Sequence, residues 1–375
     1  MKNILLLGAT GSIGDSVLSV IEQNKDSLNL YAMTLDKNVS KAKEILSTFS
    51  PKYIHIHSEE AFDQFIKSSQ SNTNAIHGNA DLNSLVCDNN IDIIVSAISG
   101  FAGLEATAIA ARTGKTVLLA NKESIVTAGE IILSSASSTG TTIIPIDSEH
   151  NAIFQCLAGE KNTNDVSKII ITASGGPFLD KKLDELKNVT KEQALQHPNW
   201  SMGSKISIDS ATLVNKCLEL IEAKYLFDLD ENFFELVIHP QSIIHSIVTY
   251  RDGSSICQMS NPDMRVPIAH ALSGERRLNN NFNEINFSEL KLTFSNFPDD
   301  RKKLESIARE ICNKGNSSAF KSSSSKEDPK WRTADGQPFF GKNPQNISDL
   351  VAKQTFLSPE RNVHIQIEKK NVDSN

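Results

Sequence analysis

The chain of 375 residues is short of the features that mark the specialised classes of protein. Cysteine is scarce: Cys87, Cys156, Cys217, Cys257 and Cys312 are scattered, with no C-x-x-C spacing. That argues against a disulfide framework or a thiolate zinc site and for reduced thiols in the cytoplasm. Cationic excess is missing too. The 38 Lys and Arg against 45 Asp and Glu leave a net charge of −7, no electrostatic footprint for nucleic acid or an anionic membrane surface. An anionic substrate therefore needs its own local basic site. No apolar run approaches the roughly 18 residues of a membrane span. The chain also enters a strand pattern at once, so no signal peptide is expected. What remains is ordinary: 39% hydrophobic and 22% charged residues, in a chain long enough for two or three soluble globular domains.

Lys2–Leu7 ends in a continuous apolar run closed by Gly8, which predicts a strand buried on both faces of a parallel sheet. Gly8-Ala9-Thr10-Gly11-Ser12-Ile13-Gly14 follows, then a helical pattern through about Ile21. Glycines so placed permit a tight turn and close approach of the backbone to a pyrophosphate at the helix N-terminus. The stretch reads as a dinucleotide site. The next strand, Leu28–Leu35, ends at Asp36-Lys37-Asn38. An acid there suits the ribose hydroxyl of NAD and a base the 2′-phosphate of NADP, so these residues alone leave the cofactor open. Helical and strand-like patterns then alternate from Val39 to Ala120, which predicts a parallel sheet covered by helices. His55 and His57 are expected as exposed residues on one strand face, not as ligands.

The strand ending at Ala120 runs into Asn121-Lys122-Glu123-Ser124, at the edge where open α/β sheets bind ligands. The next, Thr141–Ile146, delivers Asp147 and Glu149 to the same edge, and period-two geometry puts both carboxylates on one side. The pair is either a hard-cation site or two unrelated solvated acids. After Val166–Ala173 and Ser174-Gly175-Gly176-Pro177, the stretch to Ser204 has little apolar periodicity and carries His197-Pro198-Asn199-Trp200. It reads as a mobile flap over a ligand. Asp209 or Ser210 is expected to cap the following helix, on which Asn215, Lys216 and Glu219 share a face. That face is either a solvated ion pair or a third carboxylate beside groups suited to a phosphate. His239 and His245 are expected at a sheet edge or interface. Arg301–Cys312 and Asn346–Phe356 have helical patterns, separated by a Ser-rich charged stretch.

The glycine stretch, Leu119–Ser124, Pro145–Gln155, Ser174–Phe178, His197–Gly203, Asp209–Glu222, His239–Ser246 and Asn261–Leu272 together resemble the 1-deoxy-D-xylulose 5-phosphate reductoisomerase family. The resemblance implies an NADPH-dependent enzyme that uses a divalent cation, Mn²⁺ or Mg²⁺, on a sugar phosphate in non-mevalonate isoprenoid synthesis. It makes Asp147, Glu149 and Glu219 the metal ligands. Ser148, Ser174, His197, Ser210, Asn215, Lys216 and Lys122 would contact substrate, together with the ligands Glu149 and Glu219. Lys122, Glu149 and His197 would be catalytic. Thr10, Gly11, Ser12, Ile13, Lys37, Asn38, Asn121, Glu123 and Gly203 would line the NADPH site. Two positions depart from the family's pattern: Asp36, where a small residue is common, and Phe320–Ser325, where the family has Leu-Asn-Ala-Ala-Asn-Glu.

The expected fold class is α/β. A Rossmann-like parallel sheet over 1–146 leads to an α+β catalytic domain over 147–275 with a flap at about 174–204. A linker and small helical region follow over 276–375, atypical from about 320. A cytoplasmic homodimer is implied by the family, with no nucleic-acid or membrane partner. Two rivals stand beside this reading. A short-chain dehydrogenase or nucleotide-sugar epimerase would need Tyr-x-x-x-Lys, which none of Tyr31, Tyr53, Tyr225 or Tyr250 begins. A non-enzymatic dinucleotide sensor would need neither three acids nor a phosphate site.

Overall fold

The short apolar runs of the first 145 residues pair as one seven-stranded parallel sheet. Its strands are β1 (Lys2–Leu7), β2 (Leu28–Leu35), β3 (Tyr53–Ile56), β4 (Asn74–Ile76), β5 (Ile93–Ser96), β6 (Thr116–Leu119) and β7 (Thr142–Pro145). Their order is β4-β3-β2-β1-β5-β6-β7, so the chain reverses direction of travel between β1 and β5, where open parallel sheets form a ligand crevice. The computed structural model describes residues 1–68, 72–159, 163–200, 202–274 and 276–314. The helical pattern at Asn346–Phe356 and the atypical region from about 320 lie outside the described residues.

Helices α1 (Ser12–Gln23), α2 (Val39–Thr48), α3 (Glu59–Ser68), α4 (Asn79–Val86), α5 (Leu104–Ala110) and α6 (Lys122–Thr139) separate these strands. Ile4 and Leu6 face the cluster under α1 and α2, whereas Leu5 and Leu7 face the one under α4 and α5. A strand with both faces buried has no polar side to show, hence its unbroken apolar sequence.

After α7 (Ser148–Leu157) a second, mixed sheet forms from β8 (Val166–Ala173), β9 (Phe234–Ile238), β10 (Ile244–Tyr250), β11 (Ser255–Met259) and β12 (Ser295–Asn296). Its order is β11-β10-β8-β9-β12. Between β8 and β9 run α8 (Lys191–Leu195), α9 (Ser204–Ala211) and α10 (Val214–Phe227), and α11 (Arg265–Ser273) and α12 (Lys302–Lys314) complete the described chain. Although α11 follows the second sheet in sequence, Ile268, Ala269, Ala271 and Leu272 pack into the core of the first, against the side that holds α1.

Three expectations need correction. His55 is buried, with Nε2 3.0 Å from the Gly78 carbonyl oxygen, and His57 lies beyond the strand. That face meets the Gly78 turn leading into α4, which the alternation of His with Ile did not reveal. The stretch 174–204 has structure of its own: Leu183–Asn188 forms a short 3₁₀ turn, α8 follows, and Phe178, Leu186, Val189 and Ala194 make a small core with Ile208 and Ala211 of α9. Its apolar residues are too sparse for a helical period yet sufficient for a local cluster. Asp209 and Ser210 lie inside α9 rather than capping a helix. The next helix, α10, starts after Leu213, which is held in the left-handed region at φ 62°. A bulky residue there is strained by roughly 1–3 kcal/mol, and it is the bend that turns α9 into α10.

Candidate active site

The ends of several elements, the N-termini of α6, α7 and α10 among them, converge on one cavity of about 310 Å³. Asp147 is the N-cap of α7, and Glu149 is that helix's second residue. The two acids are thus not set by strand period as expected: β7 ends at Pro145, and they meet because a helix mouth gathers its N-cap and first turn. Asp147 makes no capping hydrogen bond, so its carboxylate is left for the cavity. Glu219 arrives from the middle of α10. Carboxylate oxygens of Asp147, Glu149 and Glu219 all lie within 4.8 Å of one another.

Two buried ammonium groups hold the three acids together. Lys122 Nζ is 2.8 Å from Asp147 Oδ2 and 3.2 Å from Glu219 Oε1, and it donates to Asn215 Oδ1 at 2.8 Å. Lys216 Nζ is 2.6 Å from Glu149 Oε1 and also bonds Glu219 Oε2. Ser246 Oγ donates to the Glu149 carbonyl oxygen at 3.0 Å, which ties α7 to β10. Behind this layer, buried His150 places Nε2 2.9 Å from the Glu219 carbonyl oxygen and Nδ1 3.2 Å from Glu222 Oε2, though the latter pair is not aligned as a hydrogen bond.

Electrostatics follow from the crowding. Burial, reinforced by Glu149, pushes the Glu219 carboxyl up to about 7. Burial likewise pushes Glu222 up to about 7 against the pull of His150. Asp147 goes the other way: Lys122 and His150 overcome burial and hold it well below the usual carboxylate range. Lys122 is held well above its ordinary value against burial by Asp147, Glu219 and Glu222, and Lys216 is raised against burial by Glu149 and Glu219.

The donor set fits a divalent cation. Among the described residues Asp147 Oδ1 is buried without a hydrogen-bond partner, with only His150 Nδ1 3.6 Å away, an expensive condition for a carboxylate oxygen and one that a hard cation relieves. With all three ionised, the carboxylates exceed the two ammonium groups by one negative charge, which a divalent cation would turn into one positive charge facing the cavity.

On the β8 side, His197 Nε2 is 2.9 Å from Ser174 Oγ. The ring's Nδ1 accepts from the backbone N–H of Asn199 at 3.2 Å and of Trp200 at 3.0 Å. Two donors aimed at Nδ1 put the proton of the neutral ring on Nε2, which donates to Ser174. Burial lowers the His197 pKa, in keeping with a neutral ring. Trp200 packs over His245, with ring centroids 5.9 Å apart.

The cavity runs on to the glycine turn, so Ser12 and Ile13 of α1 share its wall with Ser148, Ser174, His197, Ser210, Asn215 and Lys216. Gly11 caps α1 with no side chain, which leaves the first-turn N–H groups open to an anion such as a pyrophosphate. Gly8, at φ +86°, lies so close to β5 that a Cβ would come 2.7 Å from the Ala97 carbonyl oxygen. Thr10 belongs to the same turn. Lys37 and Asn38 are exposed at the end of β2, where Asn38 caps α2 by accepting from Lys41 N–H at 3.1 Å. Asn121 is turned away: its amide donates to the Ile98 and Gly100 carbonyl oxygens and its Oδ1 caps α6. Glu123 pairs with Lys205 at 2.6 Å, and a Cβ on Gly203 would lie 3.7 Å from Ser12 Oγ.

Sequence reasoning missed His150, Glu222, Ser242 and the Pro262–Arg265 turn, the last two of which border the cavity. The i,i+3 spacings Asp147–His150 and Glu219–Glu222 were the available signal. His245, expected at an edge or interface, is buried and borders the cavity.

Residues 4–129 match the family model of 1-deoxy-D-xylulose 5-phosphate reductoisomerase, and residues 143–227 and 259–328 match two models of its C-terminal domains. A reductoisomerase of that name from Clostridium tetani is 49% identical over 298 residues, covering 78% of this chain and 77% of the relative. The chain belongs to the 1-deoxy-D-xylulose 5-phosphate reductoisomerase family. The reductoisomerase of Shewanella frigidimarina is 44% identical over 328 residues, 84% of this chain and 83% of the relative. Among solved structures, a reductoisomerase in complex with NADPH, fosmidomycin and magnesium superposes with a TM-score of 0.80 at 42% identity, covering 84% of this chain and 80% of that one. The reductoisomerase of Zymomonas mobilis in complex with NADPH gives 0.77 at 42% identity, with 84% and 82% covered.

Proposed function

We propose that this chain converts 1-deoxy-D-xylulose 5-phosphate into 2-C-methyl-D-erythritol 4-phosphate, an isomerisation followed by NADPH reduction on the route to isoprenoid precursors. One observation carries the reading: three carboxylates converge, one Asp147 oxygen accepting no hydrogen bond, in the same cavity that the glycine turn borders. Asp147, Glu149 and Glu219 would hold Mn²⁺ or Mg²⁺. When bound, the cation supplies Lewis-acid polarisation of the substrate's ketone and hydroxyl oxygens, and NADPH supplies the hydride.

The chain's own groups do the rest. Lys122 favours the ionised form of Asp147, and the two lysines keep the three acids at fixed spacing before any ligand arrives. Ser174, Ser210, Asn215, Lys216 and His197 line the cavity, a set of hydroxyl, amide, ammonium and imidazole donors suited to a phosphate. Lys122 and Ser148 stand nearest the carbon skeleton. The His197–Trp200 segment closes over them and excludes water, so the phosphate's binding energy is available to hold the flap shut. Ser12, Ile13, Gly11 and Thr10 would take the pyrophosphate, Lys37 and Asn38 the adenosine end, and Asn121, Glu123 and Gly203 would shape the nicotinamide side.

Residues 1–146, 147–275 and 276–375 are proposed as the three domains, with α11 reaching back to support the first. Among the described residues no helix is long and apolar enough to cross a membrane, and we place the enzyme in the cytoplasm as a homodimer, as the resemblance implies. The test is NADPH oxidation with 1-deoxy-D-xylulose 5-phosphate. Consumption is expected with Mn²⁺ or Mg²⁺ and not in chelator; no substrate-dependent consumption with either metal would overturn the reading.

A further inference from the structure

Beside the cavity lies an ionic cluster of two largely buried acids and one partly exposed lysine, and the lysine has no part in the chemistry proposed for the site. Lys205 Nζ lies 2.6 Å from Glu123 Oε1 and 2.7 Å from Asp209 Oδ2. Asp209 is one turn along α9 from Lys205 and fixes the ammonium's direction. Glu123 belongs to α6, so the Lys205–Glu123 pair is the bond that crosses between helices. The Glu123 and Asp209 side chains are only 7% and 14% exposed, and one cation serves both acids. Burial, opposed by Lys205, holds the Asp209 carboxyl above its ordinary value. A buried ion pair of this kind is weak evidence for stability, since apolar packing of similar volume often serves as well. Its location is more informative.

Each end of the pair leads to a different ligand region. Next to Glu123, Lys122 enters the carboxylate cluster and Asn121 ties down the Ile98–Gly100 loop. At the N-terminus of α9, Gly203 approaches Ser12 of the glycine turn, and at its other end Ser210 borders the cavity. Helix α9 thus spans the distance between cofactor turn and substrate cavity, and Lys205 pins it to α6.

We propose that Lys205 is a positioning residue that couples NADPH binding to phosphate binding by fixing α9 against α6. The inference rests on the proposed reading of the glycine turn as the NADPH site. Held against α6 as one rigid piece, α9 carries a shift at Gly203 to Ser210 and the reverse, so a ligand seated at either end sets the position of the other site. A residue that served stability alone would change melting and leave this mutual effect intact.

Isothermal titration of NADPH, with and without saturating inorganic phosphate, tests it on the full chain and on Lys205→Met and Lys205→Arg. Phosphate is expected to tighten NADPH binding by about fivefold or more in the unaltered chain, and Lys205→Arg should keep most of that gain. In Lys205→Met the two affinities should agree within about twofold. If Lys205→Met fails to fold by circular dichroism, Lys205→Met with Asp209→Asn removes the second acid and takes its place. Equal coupling in the folded Met variant, or none in the unaltered chain, overturns the proposal. Failure of the unaltered chain to bind NADPH at all overturns the reading of the glycine turn, and this inference with it.

Discussion

The two ligand regions of this molecule are built from opposite materials. The glycine turn is made of backbone: Gly8 at φ +86°, an uncapped α1 N-terminus, and Gly14 packed against Ala9. The carboxylate cavity is made of buried charge, with Lys122, Lys216 and Glu219 at 5%, 5% and 1% exposure and neutralising one another across three elements. A backbone site is specified locally, over a few consecutive residues. A charge site is specified by what distant segments bring to it, so no single segment displays it.

Four substitutions or conditions separate the regions. The largest effect belongs to Glu219→Gln or Asp147→Asn, each of which removes a carboxylate charge and leaves a lysine under-neutralised. Metal-dependent turnover should fall by more than about a hundredfold, given that even outer-shell changes cost 10–100-fold. NADPH binding, by titration, should survive. Unchanged turnover would sink the ligand assignment.

Gly14→Ala tests the other region. Its Cβ would stand 2.6 Å from the Ala9 carbonyl carbon, a backbone clash that must displace α1 from β1. We expect a stability loss of about 1–3 kcal/mol and weakened NADPH binding, with Mn²⁺ binding retained. Equal damage to both ligands would show that the two sites are not separately built.

Ser174→Ala removes the oxygen that meets His197 Nε2 and accepts from the Gly176 N–H. Loss of about 1 kcal/mol of hydrogen bonding predicts a roughly fivefold higher KM for the sugar phosphate with NADPH affinity unmoved. A change confined to kcat would contradict a phosphate-side role.

The smallest effect is pH-dependent. Burial lowers the His197 pKa below its ordinary 6.5, so the neutral ring is the form the folded flap favours. Its contribution is present in full above the ordinary value and is lost as pH falls through the lowered folded value, when Nδ1 gains a proton and stops accepting the Asn199 and Trp200 N–H groups. Flap opening, read by Trp200 emission, should follow that titration and be absent in His197→Gln.

What was legible in the sequence tracks the same contrast. The apolar runs predicted β1 and β2 to the residue, because strands covered on both faces leave few polar positions to blur their limits. Helices α6 and α7 went unread. Lys122, Glu123, Ser124, Thr127 and Ala128 of α6 are all buried, so the helix lacks the polar stripe that would betray its period. The acids were found for an incorrect local reason, and His150 and Glu222 were not found, since only the fold shows that α7 and α10 stand side by side. Conversely, Asn121 and Glu123 hold neighbouring structure in this state, a role that motif resemblance alone does not reveal.

The central claim is that Asp147, Glu149 and Glu219 form a divalent-cation site distinct from the cofactor turn. Isothermal titration of Mn²⁺ into the unaltered chain and into Glu219→Gln, each followed by NADPH, tests it directly. A single saturable Mn²⁺ site is expected in the unaltered chain and should disappear in Glu219→Gln while the NADPH isotherm persists. Undiminished Mn²⁺ binding by the folded variant would contradict it.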